Sequence, residues 1–181
     1  MIKKTSVIID TDPGIDDAVA LAAAFACDRL DIKLISTVSG NVGIENTTNN
    51  ALKLVEFFNK DIKVSKGASR PLIKECEHAE HIHGESGMDG YDFKSPKRSV
   101  YEKNSVEAMR EIIQESDEKI TLVTIGPLTN VATLFLAYPE VKENIEKIVV
   151  MGGSSGRGNV TPAAEFNIYA DPEAAKIVFK A

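Results

Sequence analysis

Apolar and polar positions alternate along this chain in two different periods, and the switches between them mark its elements. Val7 to Asp10 is a short apolar run with the length of a strand, and Ile15 to Ala26 is apolar almost all round and rich in Ala, which predicts a helix lying close against a sheet. Ile32 to Val38 predicts a second strand. Gly40-Asn41-Val42-Gly43 predicts a turn, and Ile44 to Phe58 a helix with Ala51, Leu54, Val55 and Phe58 on one stripe. Ile62 to Ser65 predicts a short third strand. The rhythm is lost over residues 66–100, where Gly67, Pro71, Gly84, Gly87, Gly90 and Pro96 fall without periodicity, and a loop of that length inside a compact domain predicts a lid or binding loop. The rhythm returns at Asn104, with Glu107 three residues on, a capping-box-like start to a helix through Val106, Met109, Ile112 and Ile113. Ile120 to Ile125, a helix from about Thr129 to Tyr138, and Ile145 to Met151 follow, and Asp171-Pro172-Glu173 opens a last helix.

Strands alternating with helices predict an α/β fold, with a mostly parallel, Rossmann-like sheet flanked by helices on both faces, as one domain over residues 1–181. In such folds a ligand sits beyond the carboxyl ends of the strands. Polar clusters fall at several predicted strand ends: Asp10 to Asp17, Ser39 to Asn41, Ile125-Gly126, and the segment after Met151.

The first of these clusters carries the most chemistry. Asp10, Asp12, Asp16 and Asp17 lie within eight residues. At a separation of roughly 4 Å and an effective dielectric of about 20, two carboxylates repel by about 4 kcal/mol, so the cluster needs protons or a cation. Carboxylate oxygen suits a hard divalent ion such as Ca²⁺ or Mg²⁺. Helix capping and dipole complementarity account for Asp16 and Asp17 but leave Asp10 and Asp12 unexplained.

Composition narrows the remaining classes. The chain of 181 residues is 43% hydrophobic and 27% charged with a net charge of −6, which describes an ordinary globular protein and argues against nucleic acid as a partner. The two cysteines, Cys27 and Cys76, have no metal-site spacing, and Cys27, at the end of an apolar helical run, is expected to be buried and reduced. The longest apolar run, Ala18 to Cys27, is too short for a membrane span, and Asp10 and Asp12 cut short any leader that Lys3 and Lys4 could begin. No membrane partner and a cytoplasmic location are the expectations. Gly152 to Gly156 lacks the Lys-Ser/Thr of a phosphate loop, and its glycines are expected to let backbone approach a ligand closely.

The segment Asp10-Thr11-Asp12-Pro13-Gly14-Ile15-Asp16-Asp17-Ala18 resembles the signature of the inosine-uridine preferring nucleoside hydrolases. Further blocks follow in the same order: His81 to Met88, Gly126 to Asn130, Val149 to Gly153, Ala164 to Asn167, and Asp171 to Ala175. The resemblance implies Ca²⁺-dependent hydrolysis of the N-glycosidic bond of a ribonucleoside to base and ribose. It implies Asp10, Asp12, Asp17 and the backbone carbonyl of Ile125 as metal ligands, with Asp12 also the general base and Asn41 orienting the water or Asp12. It assigns Asp16 to the ribose 2′-hydroxyl, and Met151, Asn159, Glu165 and Asn167 to substrate binding, the last three at the 3′- and 5′-hydroxyls. Glu165 and Asn167 lie two apart, so an extended backbone would point both into one pocket. His81 and His83 would belong to the mobile lid. A homo-oligomer, dimer or tetramer, is implied as well.

Members of the family continue past residue 181 and draw another Asp ligand and a His from that part. The resemblance therefore implies an N-terminal portion of a nucleoside hydrolase, with weak Ca²⁺ binding and poor turnover expected of the chain alone. Two other readings stay open: a non-catalytic ribose- or nucleoside-binding protein, and a phosphatase of the haloacid-dehalogenase type, for which Asp10-Thr11-Asp12 would be the nucleophile and acid pair.

Overall fold

The computed structural model describes residues 3–181. Its elements are β1 (Thr5–Thr11), α1 (Ile15–Ala26), β2 (Leu30–Thr37), α2 (Ile44–Phe57), β3 (Val64–Lys66), α3 (Glu80–His83), α4 (Ser105–Glu115), β4 (Ile120–Thr124), α5 (Thr129–Ala137), a 3₁₀ turn (Pro139–Asn144), β5 (Ile145–Val150), α6 (Phe166–Ala170) and α7 (Pro172–Phe179). The strands form one sheet in the order β3-β2-β1-β4-β5, and every pairing is parallel. The chain leaves β1 toward β2 and β3 on one side and returns to β4 and β5 on the other. The topological switch therefore lies between β1 and β4, where a ligand crevice is expected.

The pleat of the central strands sorts the core into two layers. Ile8 and Leu34, opposite each other in the β1–β2 register, face Met109, Ile113, Leu134 and Val178 from α4, α5 and α7. Their neighbours Val7, Ile9 and Ile35 face Leu21, Phe25, Leu54 and Val55 from α1 and α2. Both faces of the sheet are thus covered, as the βαβ alternation predicts. The helix α1 differs from expectation on its outer side. It buries Asp17, Leu21 and Phe25 but leaves Val19 exposed, and Cys27 at its end is exposed rather than buried. At the far side of the sheet β5 is an edge strand, with Val149 and the adjoining Met151 about half exposed. None of the described helices is long and apolar enough to cross a membrane.

The predicted caps form. Asn104 Oδ1 accepts the Glu107 N–H at 3.0 Å, closing the first turn of α4. Asp171 is fully buried and does more than cap α7. One oxygen accepts the Ala174 N–H at 3.0 Å, and the other accepts the Thr129 hydroxyl at 2.6 Å and the Leu72 N–H at 2.9 Å. One carboxylate thus ties α7, the start of α5 and the beginning of the 66–100 loop together. Asp171→Ala strands these three donors and is expected to lower unfolding free energy by about 2–4 kcal/mol in urea denaturation, whereas a loss below about 0.5 kcal/mol would contradict the tie.

Candidate active site

The strand β1 carries Asp10 into the crevice between its neighbours, in register with Ser36 of β2 and Thr124 of β4. Asp10 Oδ1 accepts the Ser36 hydroxyl at 2.5 Å and Asn130 Nδ2 at 2.8 Å. Asp10 Oδ2 is buried and without a partner. Asp12 has the same asymmetry: Oδ2 accepts the Asn41 N–H at 2.7 Å, and Oδ1 is buried without a partner. Two glycines make room for it. A Cβ on Gly40 would stand 2.1 Å from Asp12 Oδ2, and one on Gly126 would stand 2.6 Å from Oδ1. Asp17 is satisfied on both oxygens, by the Thr11 hydroxyl at 2.6 Å and by the Gly14 N–H and Asn41 Nδ2 at 3.1 Å each.

These three carboxyls hold their protons unusually well. Burial pushes Asp10 up to about 6 against the opposing bonds from Asn130 and Ser36. Burial likewise pushes Asp17 up to about 6, opposed by Thr11 and Gly14 and reinforced by the charge of Asp16. Asp12 is raised well above the usual carboxylate range by burial first and by repulsion from Asp17 second. Asp16, one residue from Asp17, is exposed on the cavity side.

Beside the carboxylates lies a cavity of about 280 Å³. Nine of the residues predicted for the site line it: Asp16, Asn41, His81, His83, Ile125, Met151, Asn159, Glu165 and Asn167. Asp10, Asp12 and Asp17 lie buried outside its lining. The Ile125 N–H donates to the Asp10 carbonyl at 2.8 Å, and its own carbonyl accepts Asn167 Nδ2 at 3.0 Å. Asn167 Nδ2 also reaches the Met151 carbonyl at 3.1 Å, so this one amide joins the ends of β4 and β5.

The structure adds to and alters the sequence reading here. Glu165 and Asn167 do not sit on an extended strand. Glu165 caps the short helix α6, its carboxylate accepting the N–H groups of Asn167 at 3.0 Å, Ile168 at 3.3 Å and Gly153 at 3.0 Å. It reaches the cavity while fixing the glycine-rich turn after β5. His83 lies 3.8 Å from Asp16, yet its Nδ1 accepts the Ile15 N–H at 3.3 Å, so that nitrogen carries no proton to offer the carboxylate. His83 thereby ties the 66–100 loop to the start of α1. Asp10, the nucleophile of the phosphatase reading, is 1% exposed, and one of its oxygens is held by two donors.

Other site residues escaped the sequence. Asn130 is fully buried, and its Nδ2 reaches Asp10, Ser36 and the Thr37 carbonyl while its Oδ1 accepts the Ala68 N–H. It belongs to a recognised block, but nothing local says that it meets a residue 120 positions away. Glu77, His78, Ile82 and Tyr169 also line the cavity.

Residues 7–181 match the family model of the inosine-uridine preferring nucleoside hydrolases. The chain belongs to this family. It is 52% identical over 180 residues to a non-specific ribonucleoside hydrolase, RihC, of Salmonella typhi, an alignment covering 99% of this chain and 59% of that protein. Among solved structures it superposes on the purine-preferring ribonucleoside hydrolase of Gardnerella vaginalis with a TM-score of 0.92 at 31% identity, covering 97% of this chain and 57% of the other. A plant nucleoside hydrolase gives a TM-score of 0.91 at 39% identity, with coverages of 97% and 56%. The chain thus spans under two thirds of the length of these family members.

Among the described residues of this family member, no group of three or more His, Cys, Asp or Glu side chains is placed so that it could hold a metal ion by itself. The donor chemistry nonetheless fits a hard cation. Two buried carboxylate oxygens, Asp10 Oδ2 and Asp12 Oδ1, lack any partner, and orphaned buried oxygens of this kind require one.

The Asp10 shift has a definite sign. Its folded carboxyl holds a proton up to about 6, against an ordinary 3.8, so the contribution of Asp10 to the stability of the metal-free fold falls as pH rises between those values and no further above them. The full effect is about 3 kcal/mol. Asp10→Asn, neutral at every pH, is therefore expected to gain on the parent by about that amount between pH 4 and pH 7.5 in urea unfolding with chelator present. A difference independent of pH would contradict this account.

Proposed function

We propose that this chain binds a ribonucleoside in the cavity and carries the metal-holding and general-base part of a Ca²⁺-dependent nucleoside hydrolase. The pair of orphaned oxygens on Asp10 and Asp12 beside a cavity lined by Asp16, Glu165 and Asn167 carries this reading. Asp10, Asp12, Asp17 and the Ile125 carbonyl would hold the ion, with Asp17 giving lone pairs left over from its existing bonds. When bound, the ion supplies positive charge that makes a neighbouring water more acidic and steadies hydroxyl oxygens.

The chain's own groups divide the remaining work. The Asn41 N–H holds Asp12 Oδ2 and fixes the direction of the carboxylate, which would take a proton from water beside the ion. The exposed carboxylate of Asp16 accepts a hydroxyl of the sugar. Asn167, with its amide nitrogen spent on two carbonyls, presents its amide oxygen to a second hydroxyl. Glu165 and Asn159 complete the wall for the 3′- and 5′-side. Cleavage of an N-glycosidic bond builds positive charge on the sugar ring, and the acidic wall favours it. His81 and His83, on α3, form the cover that excludes water from the base. The same reading extends to a cytoplasmic homo-oligomer.

Two measurements test this. Ca²⁺ at one hundred times its dissociation constant is expected to stabilise the chain by about 2.7 kcal/mol in thermal unfolding, and Asp10→Asn and Asp12→Asn to remove the effect. In a base-release assay on a panel of nucleosides, Asp12→Asn is expected to lower the rate by about a hundredfold or more. Nucleoside binding by calorimetry with no release from the parent chain would replace the hydrolase reading with a purely binding one.

A further inference from the structure

The loop before α3 brings together three side chains that the hydrolase reading does not use. Cys76 Sγ lies 3.6 Å from His78 Nε2 and 3.8 Å from the Ser39 hydroxyl. His78 Nδ1 lies 2.9 Å from the Gly40 carbonyl. A carbonyl only accepts, so Nδ1 carries the proton and Nε2 offers its lone pair to the thiol. A nucleophile, a base within reach and a third group that fixes the base make up the arrangement expected of an activated thiol. Cys76 is exposed, and so is Cys27, but only Cys76 has a histidine partner among the described residues.

We propose that Cys76 is a modification site for small disulfides, with His78 as its base, and that the adduct closes the mouth of the neighbouring cavity. In the reaction the Cys76 proton passes to His78 Nε2 and the sulfur attacks one sulfur of the disulfide. The Cys76 S–S bond forms as the original S–S bond breaks. The departing half leaves as a thiolate and recovers the proton from His78, so Cys76 is oxidised and one half of the disulfide is reduced to a thiol. No further oxidant is required.

The adduct would act on the cavity directly and through the backbone. Glu77 and His78, the next two residues, line the cavity while Cys76 itself does not, so a group attached to Cys76 would reach the cavity from outside its lining. The same loop is zipped to the segment that holds Asp12: Ala79 N–H donates to the Asn41 carbonyl at 2.9 Å, and Asn41 N–H holds Asp12 Oδ2 at 2.7 Å. Displacing His78 from the Gly40 carbonyl loosens that zipper one residue from Asn41. This closure rests on the nucleoside-binding reading of the cavity, whereas the modification itself does not.

The probe is oxidised glutathione, added to the native 181-residue chain and followed by acid quench and peptide mass mapping. Cys76 is expected to acquire the glutathionyl group about tenfold faster than Cys27. His78→Ala should bring Cys76 down to the rate of Cys27, and Cys27→Ser should leave Cys76 unchanged. Should His78→Ala not fold by circular dichroism, His78→Gln keeps a donor for the Gly40 carbonyl and removes the base, with the same slowing expected. Equal rates at the two cysteines, or a Cys76 rate indifferent to loss of the base, overturns the proposal. Inosine binding by calorimetry is expected to weaken about tenfold or more in the modified chain and to return with dithiothreitol. Equal binding before and after modification overturns the closure. No inosine binding by the unmodified chain overturns the nucleoside reading and the closure with it, while the mass map still decides the modification site.

Discussion

Asp12 is fully buried, with one oxygen held by the Asn41 N–H at 2.7 Å and the other held by nothing. Much of the surrounding structure exists to maintain that state. Gly40 and Gly126 are there because a side chain at either would collide with the carboxylate. Asn41 is buried and bonds Asp12 and Asp17 at once, so one residue fixes two acids. Asp10 repeats the arrangement two residues earlier on β1, with Ser36 and Asn130 on one oxygen and none on the other. Burying a carboxylate with an unmatched oxygen is expensive, and a fold tolerates it where function needs a vacant ligand position. Burial raises the proton affinity of Asp10 and Asp12, and also that of Asp17, whose oxygens are both matched.

The topology explains why this happens at β1. As the strand at the switch point, β1 is flanked by β2 and β4, and its carboxyl end opens between the segments that leave those strands. Ser36 and Asn41 come from one side, Ile125 and Asn130 from the other, and Asn167 closes over the end of β4 by bonding the carbonyls of Ile125 and Met151. The carboxylates are therefore held by rigid strand ends, while the covering histidines sit on a four-residue helix within a long loop. A rigid floor and a thin cover suit a site that must keep its charges fixed while admitting a substrate.

The elements legible in the sequence are those with enough length to show a period. The five strands and the helices α1, α2, α4, α5 and α7 fall within a residue or two of where the apolar pattern puts them. The short helices α3 and α6, four and five residues long, cannot display a 3.6-residue period and were hidden in polar loops. Glu165 shows the cost of that: without α6, its side chain looks free for substrate, whereas it caps a helix. Cys27 was misjudged because a helix that is apolar all round does not reveal which side lacks a neighbour. The acidic floor was legible because four aspartates in eight residues pose an electrostatic problem visible without coordinates. Its supports were not. Asn130 meets Asp10 across 120 residues, and the Cys76–His78 pair matters only because the chain lays His78 against Gly40.

The most direct test of the central claim is a crystal structure of this chain grown with Ca²⁺ and ribose. The account predicts one ion with Asp10 Oδ2 and Asp12 Oδ1 both about 2.3–2.6 Å away, and the sugar in the adjoining cavity against Asp16 and Asn167. Calcium confined to exposed carboxylates, with those two oxygens still unmatched, would contradict it.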